Sequence, residues 1–165
     1  VPRPVTPDDW TLLREVRLRA LADAPDAFGS TLDLARQHSD DEWRARARGS
    51  DRGSTLLALA GARPVGMGGV LLAPAGGTAW IWGMWTAPEA RGRGLAAEIL
   101  DQLVSWCRRT PPEGAACVDV RLHVTEGNDG ARRLYEARGF EPTGTWEELR
   151  PGSPLRIEEL RLRLT

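Results

Sequence analysis

The stretch from Thr86 to Ala97 constrains this chain most, and its centre reads Arg91-Gly92-Arg93-Gly94-Leu95-Ala96-Ala97. An aromatic, apolar strand (Ala79 to Trp85) runs into it, and an amphipathic helix (Leu95 to about Arg109) runs out. Glycines at 92 and 94 let the backbone turn tightly and put no side chain in a ligand's path. The first turn of the following helix leaves several N–H groups without intrahelical partners. Those amides, the helix dipole and two arginines together suit an anion such as a pyrophosphate.

Two phosphate-binding loops fit these letters poorly. A Walker A loop ends in Gly-Lys-[Ser/Thr], and this chain has no lysine. Gly92-x-Gly94-x-x-Ala97 matches a dinucleotide-binding fingerprint, but there the glycines follow the strand almost directly. Here Ala87-Pro88-Glu89-Ala90 intervenes, and the acidic residue due roughly 20 positions later is badly placed.

Upstream, Val5 ends a short first strand, and Thr6-Pro7-Asp8-Asp9 reads as a helix start with Thr6 as N-cap. Leu13, Val16, Ala20 and Leu21 share one helical face, which leaves Arg14, Arg17 and Arg19 on the solvated side. Asp23-Ala24-Pro25 breaks the helix, and Asp23 to Thr31 reads as a loop. Ser39-Asp40-Asp41-Glu42 is a second capping box, opening a short helix with Trp43 as a core anchor. Thr55 to Ala60, Val65 to Leu72 and Ala79 to Thr86 form three antiparallel strands, an opening foreign to a doubly wound fold. Gly66, Gly68 and Gly69 point to close backbone approach, and Gly83 is a natural bulge position.

Past the loop, Leu95, Ile99, Leu103, Trp106 and Cys107 make one buried stripe, and Thr110-Pro111-Pro112 stops the helix. From Cys117 to Thr125 the pattern alternates. Val118, Val120, Leu122 and Val124 take one face; Asp119, Arg121, His123 and Thr125 take the other. Such a strand–helix–strand unit is a parallel, right-handed crossover that binds ligands at the strands' carboxyl ends. A short helix from Asn128 ends at Gly139, a C′ glycine. Phe140 to Leu149 and Leu155 to Leu164 close the chain as two more strands, joined at Pro151-Gly152. The expected fold is α/β (α+β), with a mixed, mostly antiparallel sheet and helices on both faces.

Length and composition narrow the function. A chain of 165 residues reads as one domain with room for a real core. A net charge of −1 gives no electrostatic case for nucleic acid. Cys107 and Cys117 read as buried, reduced thiols; two cysteines make neither a zinc site nor a disulfide scaffold. No apolar run reaches the roughly 18 residues of a membrane span, and the start shows no signal-peptide pattern. A soluble, cytoplasmic protein is expected.

Arg-x-x-Gly-x-Ala after a strand and an Ala-Pro-Glu turn resembles the acyl-CoA loop of the GCN5-related N-acetyltransferases. Asn128 to Phe140 is similar to that family's Asn-x-x-Ala-x-x-Leu-Tyr-x-x-x-Gly-Phe segment, and it holds the chain's only asparagine and only tyrosine. The likeness is dense in motifs from about residue 79 to 140 and architectural elsewhere. It implies acetyl-CoA as acyl donor, an amine acceptor and direct transfer without an acyl-enzyme.

The same resemblance assigns residues. A bulge at Gly83 splays its strand from the parallel neighbour, and backbone groups of Met84, Trp85 and Thr86 pair with the pantetheine arm and thioester carbonyl. Arg91, Gly92, Arg93, Gly94, Leu95, Ala96 and Ala97 hold the pyrophosphate, and Asn128 both caps its helix and binds the pantetheine. Tyr135 is the general acid for the thiolate. The family's catalytic Glu is replaced here by His123, an imidazole able to take a proton near neutral pH; Glu126 and Glu148 are weaker candidates. Phe28, Asp23 and Asp26 fall where the family's acceptor cleft is bordered. Trp80, Trp82 and Trp85 make either an aromatic wall for the amine or ordinary core. A non-catalytic acyl-CoA-binding module and a dinucleotide-binding domain stand as alternatives. The closing strands offer edges for a homodimer.

Overall fold

The computed structural model describes residues 1–109 and 116–164. The chain forms β1 (Arg3–Pro4), a 3₁₀ turn (Pro7–Asp9), α1 (Trp10–Asp23), a second 3₁₀ turn (Pro25–Ala27), α2 (Leu32–Arg36) and α3 (Asp40–Arg48). Next come β2 (Gly53–Ala60), β3 (Arg63–Leu72), β4 (Thr78–Thr86), a third 3₁₀ turn (Pro88–Ala90) and α4 (Leu95–Arg109). β5 (Asp119–Thr125), α5 (Asp129–Ala137), β6 (Glu141–Glu148) and β7 (Arg156–Arg163) complete it. The expected stop at Thr110-Pro111-Pro112 lies outside the described residues.

One seven-stranded sheet has the order β1-β2-β3-β4-β5-β7-β6. Only β4 and β5 pair in parallel, which the α4 crossover between them requires. On one face α1 and α3 bury Leu13, Val16, Trp43, Leu57, Met67 and Trp85. On the other, α4 and α5 bury Ile99, Leu103, Val120, Leu122, Tyr135 and Phe140. Each fully buried aliphatic side chain contributes about 1.5–3 kcal/mol over its exposed state. Among the described residues no helix is long and apolar enough to cross a membrane.

Strand β4 departs from regularity in two ways. Gly69 pairs with Trp82 and Met67 with Trp85, so Gly68 alone faces both Gly83 and Met84. Gly83 takes up this bulge at φ +67°, a conformation costly for any side chain. The extra residue reverses the alternation. Ala79 and Ile81 point to the α4 face, and after the bulge Met84 does too, beside Gly68. Trp85 therefore joins Trp82 on the α1 face. Second, β4 and β5 pair only at Thr78–Asp119, Ala79–Val120 and Trp80–Arg121, so beyond Trp80 the strands part.

Several expectations need correction. Val118 precedes β5 and is exposed, because the strand begins only at Asp119. Cys117 also precedes the strand and is half-buried, whereas Cys107 is buried. The sequence reading lacks α2, which Thr31 caps by accepting the Leu34 N–H. Arg17 and Arg19 are only partly exposed. Arg17 lies over Phe28, 5.0 Å from the ring centre. Arg19 lies over Trp85 and donates to Pro64 O at 2.6 Å and to Glu89 at 2.8 Å. The Phe28 loop covers one outer side of α1 and residues of β3 and β4 the other, which helical spacing alone does not reveal.

Candidate active site

Where β4 and β5 part, a slot opens through the sheet, lined by Phe28, Gly83, Met84, His123, Asn128 and Tyr135. It is continuous with a groove of about 450 Å³ bordered by Ala27, Thr86, Arg91, Ala96, Leu134 and Tyr135. Farther along, Gly92, Gly94, Leu95, Ala96, Ala97 and Gly130 border a space of about 390 Å³. Residues expected at one site, from the loop to His123, thus meet along a single cleft between the ends of β4 and β5. Arg93 stands exposed in the loop.

Backbone direction in β4 determines which amides face this cleft. The Ala87 N–H donates to Val65 O at 2.7 Å on β3. Alternation along the strand turns the Trp85 N–H the same way and those of Met84 and Thr86 toward the slot. Trp85 instead contributes its side chain, only 6% exposed, to the α1-side core. Thr86 Oγ1 is buried with no hydrogen-bond partner among the described residues, an unmet polar demand in the cleft wall.

The loop after β4 forms as its glycines dictate. Gly92 and Gly94 have φ of +78° and +80°, and a Cβ on either would meet nothing within 4 Å. Backbone conformation, then, rather than crowding, calls for glycine at both. Leu95 opens α4 directly after them. Arg91 Nε donates to Thr86 O at 3.0 Å, while its Nη2 holds Asp23 Oδ2. Asp23 is thus a fixing residue on the cleft's rim.

Tyr135 sits on α5, which Asn128 caps with Oδ1 at 3.4 Å from the Ala131 N–H. Its phenol is buried, and desolvation alone pushes it up to about 12. His123 comes from the opposite face of the sheet. It stacks on Trp80, with ring centres 5.0 Å apart at 27°, and Nε2 lies 3.1 Å from Glu147 Oε1. Glu126 is engaged elsewhere, accepting the Arg156 N–H at 3.1 Å. Burial pushes the Cys107 thiol up to about 12, and neither cysteine borders the cleft. Among the described residues no group of three metal-ligating side chains converges.

The α1–α2 loop closes one side of the cleft through long-range bonds. Thr125 Oγ1 donates to Asp26 O at 2.7 Å. Arg150 Nη1 donates to Pro25 O at 3.1 Å and to Phe28 O at 2.8 Å. Sequence reasoning missed the walls built from Ala27, Gly130 and Leu134, whose small or apolar side chains carry no local signal. The unpartnered oxygen of Thr86 and the interior position of Arg17 were likewise missed.

Comparison with known proteins agrees with this architecture. An acetyltransferase from Streptococcus pneumoniae superposes with a TM-score of 0.84 at 16% identity, covering 99% of each chain. The yncA protein of Salmonella typhimurium, whose structure includes its cofactor acetyl-CoA, gives 0.79 at 18% identity over 100% of this chain and 94% of its own. A ribosomal-protein-alanine N-acetyltransferase from Brucella melitensis gives 0.72 at 21%, covering 99% of each. Among curated proteins, none matches the sequence significantly. The model of the acetyltransferase (GNAT) family, whose acyl donor is acetyl-CoA, matches residues 18–140. With the cleft falling where β4 and β5 part and the family match spanning most of the chain, this protein belongs to the GNAT acetyltransferases.

Proposed function

We propose that the protein moves an acetyl group from acetyl-CoA directly to a primary amine of a small molecule or peptide. The observation that carries this reading is the slot itself, which Tyr135 and His123 border from opposite faces of the sheet. The residues present fit the donor: a splayed strand with free amides, an orphaned Thr86 hydroxyl and a glycine loop at a helix start. When bound, the thioester supplies an electrophilic carbonyl and a sulfur leaving group.

The chain's own groups do the rest. Amides of Met84 and Thr86 donate to the carbonyl oxygen, a contribution of about 3–4 kcal/mol where such donors have been removed. Arg91, Arg93 and the first-turn amides at Leu95, Ala96 and Ala97 hold the pyrophosphate. Asn128 holds the pantetheine arm. His123 takes a proton from the amine as the N–C bond forms. Tyr135 holds at its Oη the proton that the sulfur receives as the C–S bond breaks. A module that merely binds acyl-CoA would not need an acid in the slot.

Calorimetric titration with acetyl-CoA, with NADH and ATP as controls, tests the donor site; thiol release with a panel of amines tests transfer. Saturable binding without thiol release would leave only a binding module. A homodimer along the exposed β6 edge belongs to the same reading, and sedimentation tests it.

A further inference from the structure

On the α1 side of the sheet lies a second cavity of about 400 Å³, which the family match does not explain. Its walls include Leu13, Met67, Trp43 and Trp82, and it holds two guanidiniums, Arg17 and Arg46. Among the described residues no carboxylate borders it. Arg46 packs over Trp43 at 5.1 Å and meets His38 Nε2 at 3.0 Å, so neither contact neutralises it. Arg17 is the more demanding group. Its Nη1 is buried without a hydrogen-bond partner among the described residues, and burial together with Arg46 pulls its pKa below the ordinary guanidinium value. A buried cation with no counter-charge is costly, and a ligand anion is the economical way to satisfy it.

The location of Arg17 says how far that anion lies from the chemistry. A Cβ built on Gly83 would stand 3.6 Å from Arg17 Nη1, so the guanidinium abuts the bulge at which the slot opens. Trp82 borders both the cavity and the slot. An anion on Arg17 is therefore only a few atoms from an amine entering the slot. The apolar walls suit a hydrocarbon side chain.

We propose that the acceptor is an α-amino acid with an apolar side chain, its carboxylate held by Arg17 and its side chain lodged between Trp43, Trp82 and Met67. This rests on the acetyl-transfer reading. The amine nitrogen bonds to the acetyl carbon as the C–S bond breaks. One amine proton goes to the base and the sulfur gains the proton of Tyr135, giving an N-acetyl amino acid and CoA. The planar guanidinium matches a carboxylate in two-point contact.

The test compares L-leucine, L-methionine and L-phenylalanine with their amides and their decarboxylated amines, by thiol release at saturating acetyl-CoA. At least one acid is expected to exceed its own amide at least tenfold in kcat/KM. Arg17→Met should collapse that ratio toward one, chiefly through KM; amides used as well as the acids would overturn the proposal. Because Arg17→Met could fail to fold, 3-phenylpropionate and 3-phenylpropionamide are also titrated calorimetrically into the unaltered protein, with and without CoA. Binding of the acid but not the amide supports the carboxylate site, and equal binding or none overturns it. Acetyl-CoA titrated into the same preparation tests the transfer reading separately.

Discussion

The carboxylate of Asp23, at the end of α1, accepts the Trp85 indole N–H at 2.9 Å across 62 residues of sequence. The same oxygen, Oδ2, holds the Arg91 guanidinium. One side chain thereby ties the end of a helix to the strand and loop that form the cleft. It also anchors Arg91, the arginine we propose for the pyrophosphate, beside the loop.

Asp23→Ala leaves the indole donor without its partner in a buried setting, a loss of about 1–3 kcal/mol. Asp23→Asn keeps an acceptor and should lose clearly less. Urea unfolding of the two variants checks this; equal losses would mean that the indole bond contributes nothing.

Tyr135→Phe should lower kcat by about a hundredfold or more, the usual scale of a general acid. Burial holds the phenol at about 12, so it stays protonated through the assayable range. The unaltered enzyme should therefore show no alkaline loss of kcat from this group below about pH 10, well short of that value. A kcat within twofold of the parent, with acetyl-CoA binding intact, removes Tyr135 from the mechanism.

His123→Ala addresses the other side of the slot. A base must be unprotonated to act, so activity should fall toward acid in the parent enzyme, and the variant's residual activity should lack that limb. The pH dependence of kcat/KM reads this directly. An acidic limb unchanged by the substitution would exclude His123 as the base.

Gly69→Ala tests the close packing of β3 on β4. The new Cβ would stand 2.2 Å from Trp82 Cε2 and 2.3 Å from Cζ2, so the indole would have to move. Overpacking of this kind costs about 1–3 kcal/mol. At this chain length each kcal/mol lowers Tm by about 2–4 °C. Thermal unfolding within 1 °C of the parent, about a quarter of the smallest shift that scale allows for 2 kcal/mol, would show the indole moves freely.

Asp9 gives a pH-dependent stability. Arg3 holds it at 2.7 and 3.0 Å and the Thr6 N–H at 2.8 Å, which keeps the native carboxyl well below the usual range. A depressed native pKa stabilises above the unfolded value of about 3.9 and is lost as pH falls below it. Asp9→Asn should thus weaken the protein at pH 7, with the difference shrinking toward pH 3. A constant difference across that range would contradict the ion pair's role.

Much of this was legible in local sequence. The capping residues Ser39 and Asn128, the C′ glycine at 139 and the glycine loop each involve groups within a few positions of one another. Backbone geometry and unpaired helix-end groups dictate such features wherever the chain folds. The bulge at Gly83 belongs with them, since a positive φ calls for glycine.

What the bulge does was not legible. It carries Trp85 onto the face of Trp82, and a period-two reading of β4 puts it on the other side. Arg17 and Arg19 look solvated on a helical projection, yet the Phe28 loop and β3 cover them. Pairing of Asp23 with Trp85 and Arg91, and of Arg150 with the α1–α2 loop, joins segments that no local pattern relates. Sequence alone thus determined the glycine loop and the elements other than α2, because those rest on short-range sterics and hydrogen bonding. Tyr135 became a candidate through the resemblance of its segment to the family's. Only the tertiary structure decided which amides face the slot, which charges are neutralised and that Arg17 Nη1 is buried without a partner among the described residues, because these depend on strand register and on contacts between distant segments.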